Sequence, residues 1–333
     1  MESAGEMTPV GKNDTMMSVE GDKNAAISVR DLSFSFNQAD ETALKNLSMD
    51  VEAGSRCLLV GANGAGKSTL LRILAGKRLT KGHVQVHGRD VFQNPPSGIT
   101  YLGTEWAMNP VVRGDIRVSE FLDSVGGFRH KERRNTLLNI LDVNLDWRMH
   151  MISDGERRRV QLVMGLMVPW TLLLLDEVTV DLDVVVRTDL INFLIEESKE
   201  RNATILFSND LDRHTKPTKH STVDGLFNFP THVLHLRLGS NVGNPEPWPL
   251  VAHSPLNDII KQSNIEASPL LKLALAWLRE DLVYRREYEK SMDKRRGARD
   301  ETTDSETFYS RFDYVSGVSH DCVMLTNGQW KGR

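Results

Sequence analysis

The stretch GANGAGKST, residues 61–69, fits the pattern G-x-x-x-x-G-K-[ST]. Its glycines let successive backbone N–H groups, from Gly61 through Ala62, Asn63, Gly64, Ala65 and Gly66, turn inward on phosphate oxygens. Lys67 brings a positive charge to the β- and γ-phosphates of a nucleotide, and the Ser68 hydroxyl is a ligand for Mg²⁺. Thr69 lies in the first turn of the helix that should follow, whose N-terminal partial charge favours the same anion.

A second group of residues could complete the chemistry. In LLLLDE, residues 172–177, a wholly apolar strand ends in two carboxylates, which is costly unless the charge is partnered. Asp176 is placed to hold Mg²⁺ through water. Glu177 sits at the carboxyl end of the strand, where ligands of open α/β sheets bind, and is suited to take a proton from an attacking water. Further on, MISDGERRRV spans residues 151–160. Ser153 and Glu156 have the S-x-x-E spacing of a capping box, so they start a helix, and a capped helix N-terminus around Gly155 is also an anion site. The arginines at 157–159 fall about 100° apart on a helix. They read as a solvated face or a contact with a neighbouring helical segment.

The elements that must position these groups follow from periodicity. AISVRDLSFSFN alternates apolar and polar residues as a strand does, and LKNLSMDVEAG gives a second strand ending at Gly54. SRCLLVGANGAGKSTLLRILAG reads as strand, glycine-rich loop and helix, with Gly76 as the helix stop. TLLLLDEV and ATILFSND are short apolar runs of the kind buried on both faces of a parallel sheet, and VVVRTDLINFLIEESKER between them is an amphipathic helix. Residues 106–150 are more helical. Beyond the Pro- and Gly-rich stretch 241–258, SPLLKLALAWLREDLVYRREYEK predicts a long helix, with Leu271, Leu275, Leu278 and Leu282 on one face as core packing.

The ordered set resembles the ATP-binding domain of ABC-type ATPases: SFSF, GANGAGKST, ISDGE, LLLLDE and then VDLD at 180–183. The resemblance covers residues 27–238 and implies a P-loop NTPase fold of class α/β. That fold has a mostly parallel sheet core, an antiparallel β subdomain and a small helical subdomain. It also implies ATP and Mg²⁺ as cofactors and Phe36 as the ring that stacks on adenine, with Phe34 as the other candidate. By the same resemblance ISDGE takes the place of the signature motif, so that Ser153, Gly155 and Glu156 face a nucleotide held by another chain. Asp183 is the matching acid of the D-loop. Homo- or heterodimerisation through the nucleotide interface follows. Within the family, YLGTEW, SDGERRRVQL, FPTHVLHL and LALAWLRED look like a stand-alone group of fungi and plants, one of whose fungal members is associated with the Ccr-Not complex. The resemblance implies a role beside that complex, in the cytoplasm and the nucleus. An ATP-binding subunit of a multi-chain transporter and a low-turnover scaffold are the alternatives.

Three departures from the pattern carry expectations. Thr104 and Glu105 stand where the family has a glutamine, which argues against coupling to transmembrane partners. Ser208, Asn209 and Asp210 follow the strand TILF where a histidine is expected, and Ser221 rather than its neighbour His220 holds the place before Asp-Gly-Leu. His214 and His220 read as surface residues, so slow hydrolysis is expected. Asp154 replaces a glycine of the signature and should weaken closure on an anion unless it turns away or the arginines offset it.

Composition narrows the class. With 40% hydrophobic and 26% charged residues the chain reads as an ordinary soluble globular protein. A net charge of −4 argues against direct nucleic-acid binding. Two distant cysteines, Cys57 and Cys322, imply no disulfide framework and fit a reducing setting. The acidic, polar opening MESAGEMTPVGKND is not a secretory signal, and no apolar run is long enough to span a bilayer. Residues 1–24 are expected to be a disordered tail, 25–238 the nucleotide-binding domain, and 239–333 an extension. The extension would carry a helix at about 268–290 and a charged tail, in which KRRGAR at 294–299 reads as a solvated charge run.

Overall fold

The computed structural model describes residues 24–36, 42–108, 110–178, 182–208, 228–263 and 267–292, together with the backbone of 323–324 and 330–331. The chain divides into two compact units, Met1–Arg285 and Arg286–Arg333. Of the second, the described residues are the end of one helix and a short antiparallel strand pair, Val323–Met324 with Trp330–Lys331.

The first unit begins with β1 (Ala25–Phe34) and β2 (Leu44–Glu52), then β3 (Arg56–Val60), α1 (Lys67–Leu74), β4 (His83–Val86) and β5 (Arg89–Asp90). Next come β6 (Ile99–Leu102), α2 (Val118–Ser124), α3 (Lys131–Ile140) and α4 (Asp154–Leu166). The alternation resumes with β7 (Leu172–Asp176), α5 (Val184–Arg201), β8 (Thr204–Ser208) and β9 (His232–Arg237). Two short strands, β10 (Ser240–Asn241) and β11 (Glu246–Pro247), and two helices, α6 (Leu256–Gln262) and α7 (Pro269–Ser291), follow. One sheet has four strands in the order β2-β1-β4-β5, joined antiparallel. The other runs β10-β9-β3-β8-β7-β6, with β11 on β9, and its β9, β3, β8, β7 and β6 are mutually parallel.

Alternation of side chains along each parallel strand divides the apolar residues between two cores. Leu58 and Val60 of β3, Leu173 and Leu175 of β7, and Ile205 and Phe207 of β8 face α4, α5 and α7. Cys57, Leu59, Leu172, Leu174 and Leu206 face the other way, against Leu70 and Leu71 of α1 and the antiparallel sheet. Helix α1 is therefore held between the two sheets, and it stops where expected: Gly76 adopts φ 69° and its N–H returns to the Ile73 carbonyl.

The face of α7 differs from the leucine stripe expected. Leu270, Leu273, Ala274, Trp277 and Asp281 are the buried residues, while Leu271 and Leu278 are only partly buried at the edge of the core. The indole of Trp277 lies flat on the His235 ring, centroids 4.6 Å apart and planes 8° apart, and this stacking turns the helix so that the leucines flank the contact.

Candidate functional site

Register brings three strand ends together. Leu59 of β3 pairs with Ser208 of β8, and Ser208 pairs with Asp176 of β7. The loop Gly61–Thr69 therefore leaves β3 beside the carboxyl ends of β7 and β8. Gly64 and Gly66 take φ of 83° and 98°, which residues with a side chain rarely adopt. At Gly61 a Cβ would lie 2.3 Å from the Leu236 carbonyl oxygen of β9, so the loop begins in direct backbone contact with that strand. The buried Lys67 ammonium donates to the carbonyls of Gly61 (2.6 Å) and Ala62 (3.2 Å).

Asp176 is 2% exposed, and hydroxyls surround its carboxylate. Oδ1 accepts from Ser68 at 3.0 Å and from Ser208 at 2.7 Å, and Oδ2 accepts from the Tyr101 phenol at 3.2 Å. Burial pushes the Tyr101 phenol up to about 12, so it keeps its proton and donates throughout the neutral range. A buried carboxylate and a serine hydroxyl 3.0 Å apart at the mouth of a phosphate-binding loop form a hard-oxygen pair that fits Mg²⁺ completed by phosphate oxygens and water.

Glu177 follows in a left-handed conformation, φ 55°, and is half-buried. Its N–H donates to the Ser208 carbonyl at 3.1 Å, and its own carbonyl accepts from Arg158 at 3.3 Å. Arg158 is the residue that sequence reasoning misplaced. It is 6% exposed, and its other nitrogen donates to the Gly103 carbonyl (2.9 Å) and to Gln161. Gln161 in turn donates to the same Gly103 carbonyl at 2.9 Å. Arg157 is buried as well, on the carbonyls of Met149 and Ile152. The run 157–159 is thus not a solvated face. Arg157 and Arg158 satisfy buried backbone carbonyls that no secondary structure covers, and Arg159 pairs with Asp142 (3.3 Å) and Asp183 (3.1 Å).

Ser153 and Glu156 stand at the start of α4, and Asp183 is tied to the same helix through Arg159. The capping box closes as the spacing predicts: the Glu156 N–H donates to the Ser153 hydroxyl at 3.3 Å, and the Ser153 N–H to the Glu156 carboxylate at 2.8 Å. The Ser153 hydroxyl and N–H hold the Glu156 carboxyl below its ordinary value. Gly155 lies between them in the first turn. Asp154 turns toward Arg157 and lies 3.9 Å from Arg113, so cations face its charge. Asp183 caps α5, accepting from the Val186 N–H at 3.0 Å. Phe36 is 48% exposed, edge-on to Phe34 with the Arg78 guanidinium over its ring. Where the resemblance called for glutamine, Glu105 pairs with Arg72 at 2.7 Å beside a groove of about 220 Å³ that Trp106 and Met164 also line. Asn209, Asp210, His214, His220 and Ser221 lie outside the described residues, as do Thr179, Val180 and Asp181.

Tyr101, Arg158 and Gln161 fall within the stretches YLGTEW and SDGERRRVQL, and Ser208 follows TILF, but no motif chemistry assigned these roles to them. Tyr101 and Ser208 are legible only once register places their strands on either side of Asp176.

The parallel sheet, the loop and the carboxylate pair define a P-loop nucleotide-binding fold. Residues 44–180 match the family model described as "ABC transporter". Among curated proteins, the CCR4-associated factor 16 of Saccharomyces cerevisiae is 37% identical, over 77% of this chain and 95% of its own length. ABC transporter I family members 21 and 20 of Arabidopsis thaliana are 40% and 33% identical, over 78% and 94% of this chain and 87% and 92% of theirs. Among solved structures, the ATP-binding subunit of an ABC transporter superposes with a TM-score of 0.58 at 20% identity, covering 76% of this chain and 99% of that one. A dimeric ATP-binding cassette bound to ADP and Pi gives 0.54 at 16% identity, over 66% and 98%. The chain belongs to the ABC transporter family as an ATPase cassette, and among its described residues no helix is long and apolar enough to cross a membrane.

Proposed function

We propose that this chain binds Mg-ATP on the loop Gly61–Thr69 and hydrolyses it slowly at the interface of a head-to-tail pair of chains. The observation that carries the reading is the meeting of Ser68 and Ser208 on one oxygen of the buried Asp176, directly at the phosphate loop. Ser68 and Asp176 hold the magnesium ion, which when bound neutralises phosphate charge. Lys67 moves from the loop carbonyls to phosphate oxygens, and Phe36 stacks on the base. Glu177 takes the proton of the attacking water, held in place by Arg158 and Ser208 through its backbone. Ser153, Gly155 and Glu156 of one chain close on the nucleotide of the other, with Asp183 at the rim. Residues 25–238 carry every group named. Ser208, the first residue after TILF, is committed to Asp176, and a hydroxyl there does not titrate near neutrality, which supports a low turnover.

Glu177→Gln should keep nucleotide binding, lose turnover by about a hundredfold or more, and dimerise in saturating Mg-ATP when followed by light scattering. Lys67→Ala should lose binding. A strictly monomeric Glu177→Gln chain at saturating Mg-ATP would sink the dimer. The name of the yeast relative supports a CCR4-containing assembly, in the cytoplasm and nucleus, as the partner. Capture of its subunits by the tagged chain, stronger with ATP, is the expected result. Co-purification of an integral membrane protein instead would favour the multi-chain transporter reading.

A further inference from the structure

The carboxylate of Asp281 lies on α7, beyond the residues matched by the family model, and is 3% exposed. Its Oδ1 is hydrogen-bonded to His235 Nε2 at 2.9 Å and accepts from Arg237 Nε at 2.7 Å. Oδ2 is buried with no hydrogen-bond partner. Arg237 is held further by Glu280 at 2.8 Å and lies over the Tyr284 ring. A buried charge with this many partners fixes geometry, because releasing any one of them leaves a charge desolvated.

His235 and Arg237 flank Leu236 on β9, and it is the Leu236 carbonyl that a Cβ at Gly61 would strike at 2.3 Å. Two residues beyond Arg237, the Gly239 N–H donates to the Ala65 carbonyl at 3.1 Å. The phosphate loop therefore rests at Gly61 on the end of β9 and at Ala65 on the turn just after it, and the side chains on either side of the Leu236 contact point are gripped by one carboxylate of α7. The loop and helix also border one space: Ala62, Asn63 and Ala65 line a cavity of about 10 Å³ together with Asp281 and Arg285.

We propose that Asp281 is a positioning residue for the phosphate loop: by holding His235 and Arg237 it fixes the end of β9 and the turn after it, on which Gly61 and Ala65 rest, and so couples α7 to the bound nucleotide. This rests on the reading that residues 61–69 bind nucleotide phosphates. The coupling is reciprocal by linkage, so a helix that tightens nucleotide binding is itself tightened by nucleotide.

The test uses the full chain and Mg-ADP. By calorimetric titration, Asp281→Ala should weaken Mg-ADP by fivefold or more, with Asp281→Asn, which keeps an acceptor for Arg237 and His235, in between. Leu190→Ala in α5 should lower Tm as much yet leave the Kd within twofold, which separates positioning from general loss of stability. In the wild-type chain, saturating Mg-ADP should slow amide exchange across residues 277–285. This second arm stands even where Asp281→Ala fails to fold. A Kd for Asp281→Ala equal to that of Leu190→Ala, or exchange in α7 indifferent to Mg-ADP, would overturn the coupling alone. A wild-type chain that binds no Mg-ADP would instead remove the nucleotide reading and the coupling with it.

Discussion

Arg158 ties three parts of the cassette together with one guanidinium: α4, the Gly103 turn after β6, and the peptide that carries Glu177. A left-handed non-glycine residue such as Glu177 is strained and keeps its conformation only when its surroundings impose it. Lysine at 158 would retain charge but lose the planar fork; the Gly103 carbonyl keeps its bond from Gln161, while the Glu177 carbonyl loses the bond from Arg158, at a cost of about 1–3 kcal/mol. The expected result for Arg158→Lys is a kcat about tenfold lower with KM for ATP within about twofold, because Glu177 shifts while the phosphate loop does not. An unchanged kcat would show that Ser208 alone orients Glu177. Asp154 poses the complementary case. Its charge is already met by Arg157 and Arg113, so Asp154→Gly turns a neutral helix start into a positive one. ATP-driven dimerisation of the Glu177→Gln chain should tighten several-fold in that background, read by light scattering against protein concentration. No change would place residue 154 away from the nucleotide. The residues of the loop and of LLLLDE were legible because their chemistry is written in consecutive positions. The arginines were not. Which of three neighbours 100° apart is buried depends on what α4 packs against, and only the fold supplies that.

Elements carry the next layer of argument, since the loop is shaped by what its neighbours leave room for. Gly61 is a fixed glycine of the motif and Gly64 fills one of its free positions, and the two also differ in place. Gly64 has φ 83° with open space around its Cα, so Gly64→Ala meets conformational strain alone, about 1 kcal/mol. Gly61→Ala meets the backbone carbonyl of Leu236, which cannot move without shifting β9 away from β3. The expected outcome is a far larger loss of Tm and of ATP affinity for Gly61→Ala than for Gly64→Ala, measured side by side by thermal melts and nucleotide titration. Equal effects would mean that the β9 contact does not constrain the loop. Strands β3, β7 and β8 were legible as short apolar runs, and the start of α4 was legible from Ser153 and Glu156. The orientation of α7 was not. Its leucine period pointed to one face, and the stacking of Trp277 on His235, a residue 42 positions earlier, chose the neighbouring one. A helical period fixes a stripe only when its largest side chain lies within it.

At the scale of the whole molecule, the core on the α4 side of the sheet is not complete when the cassette's motifs end. Leu270, Leu273, Ala274 and Trp277 of α7 belong to the same cluster as Leu58, Leu173 and Phe207 from the centre of the sheet, and Trp248 joins them. The sequence suggested an extension appended after residue 238, because motifs stop there and prolines follow. Composition cannot tell a tail from a lid on the core, whereas burial does. Removing α7 forfeits the burial of its Leu270, Leu273 and Trp277, at about 1.5–3 kcal/mol each by the usual area relation, together roughly 6 kcal/mol. It also strands the buried His235 and leaves Arg237 without its carboxylate partners on α7. That is comparable with the whole stability of a typical domain, about 5–15 kcal/mol. A chain ending at Gln262 is therefore expected to be unfolded or aggregated at 25 °C, with no cooperative melt. A chain ending at Met292 should melt cooperatively and bind Mg-ATP like the full-length protein. If the Gln262 chain folded and bound nucleotide with unchanged affinity, α7 would be an appendage and its grip on β9 would have no bearing on the site. If instead it folded but bound weakly, the helix would matter to the loop more than to the core, and the Asp281 contact would carry that difference.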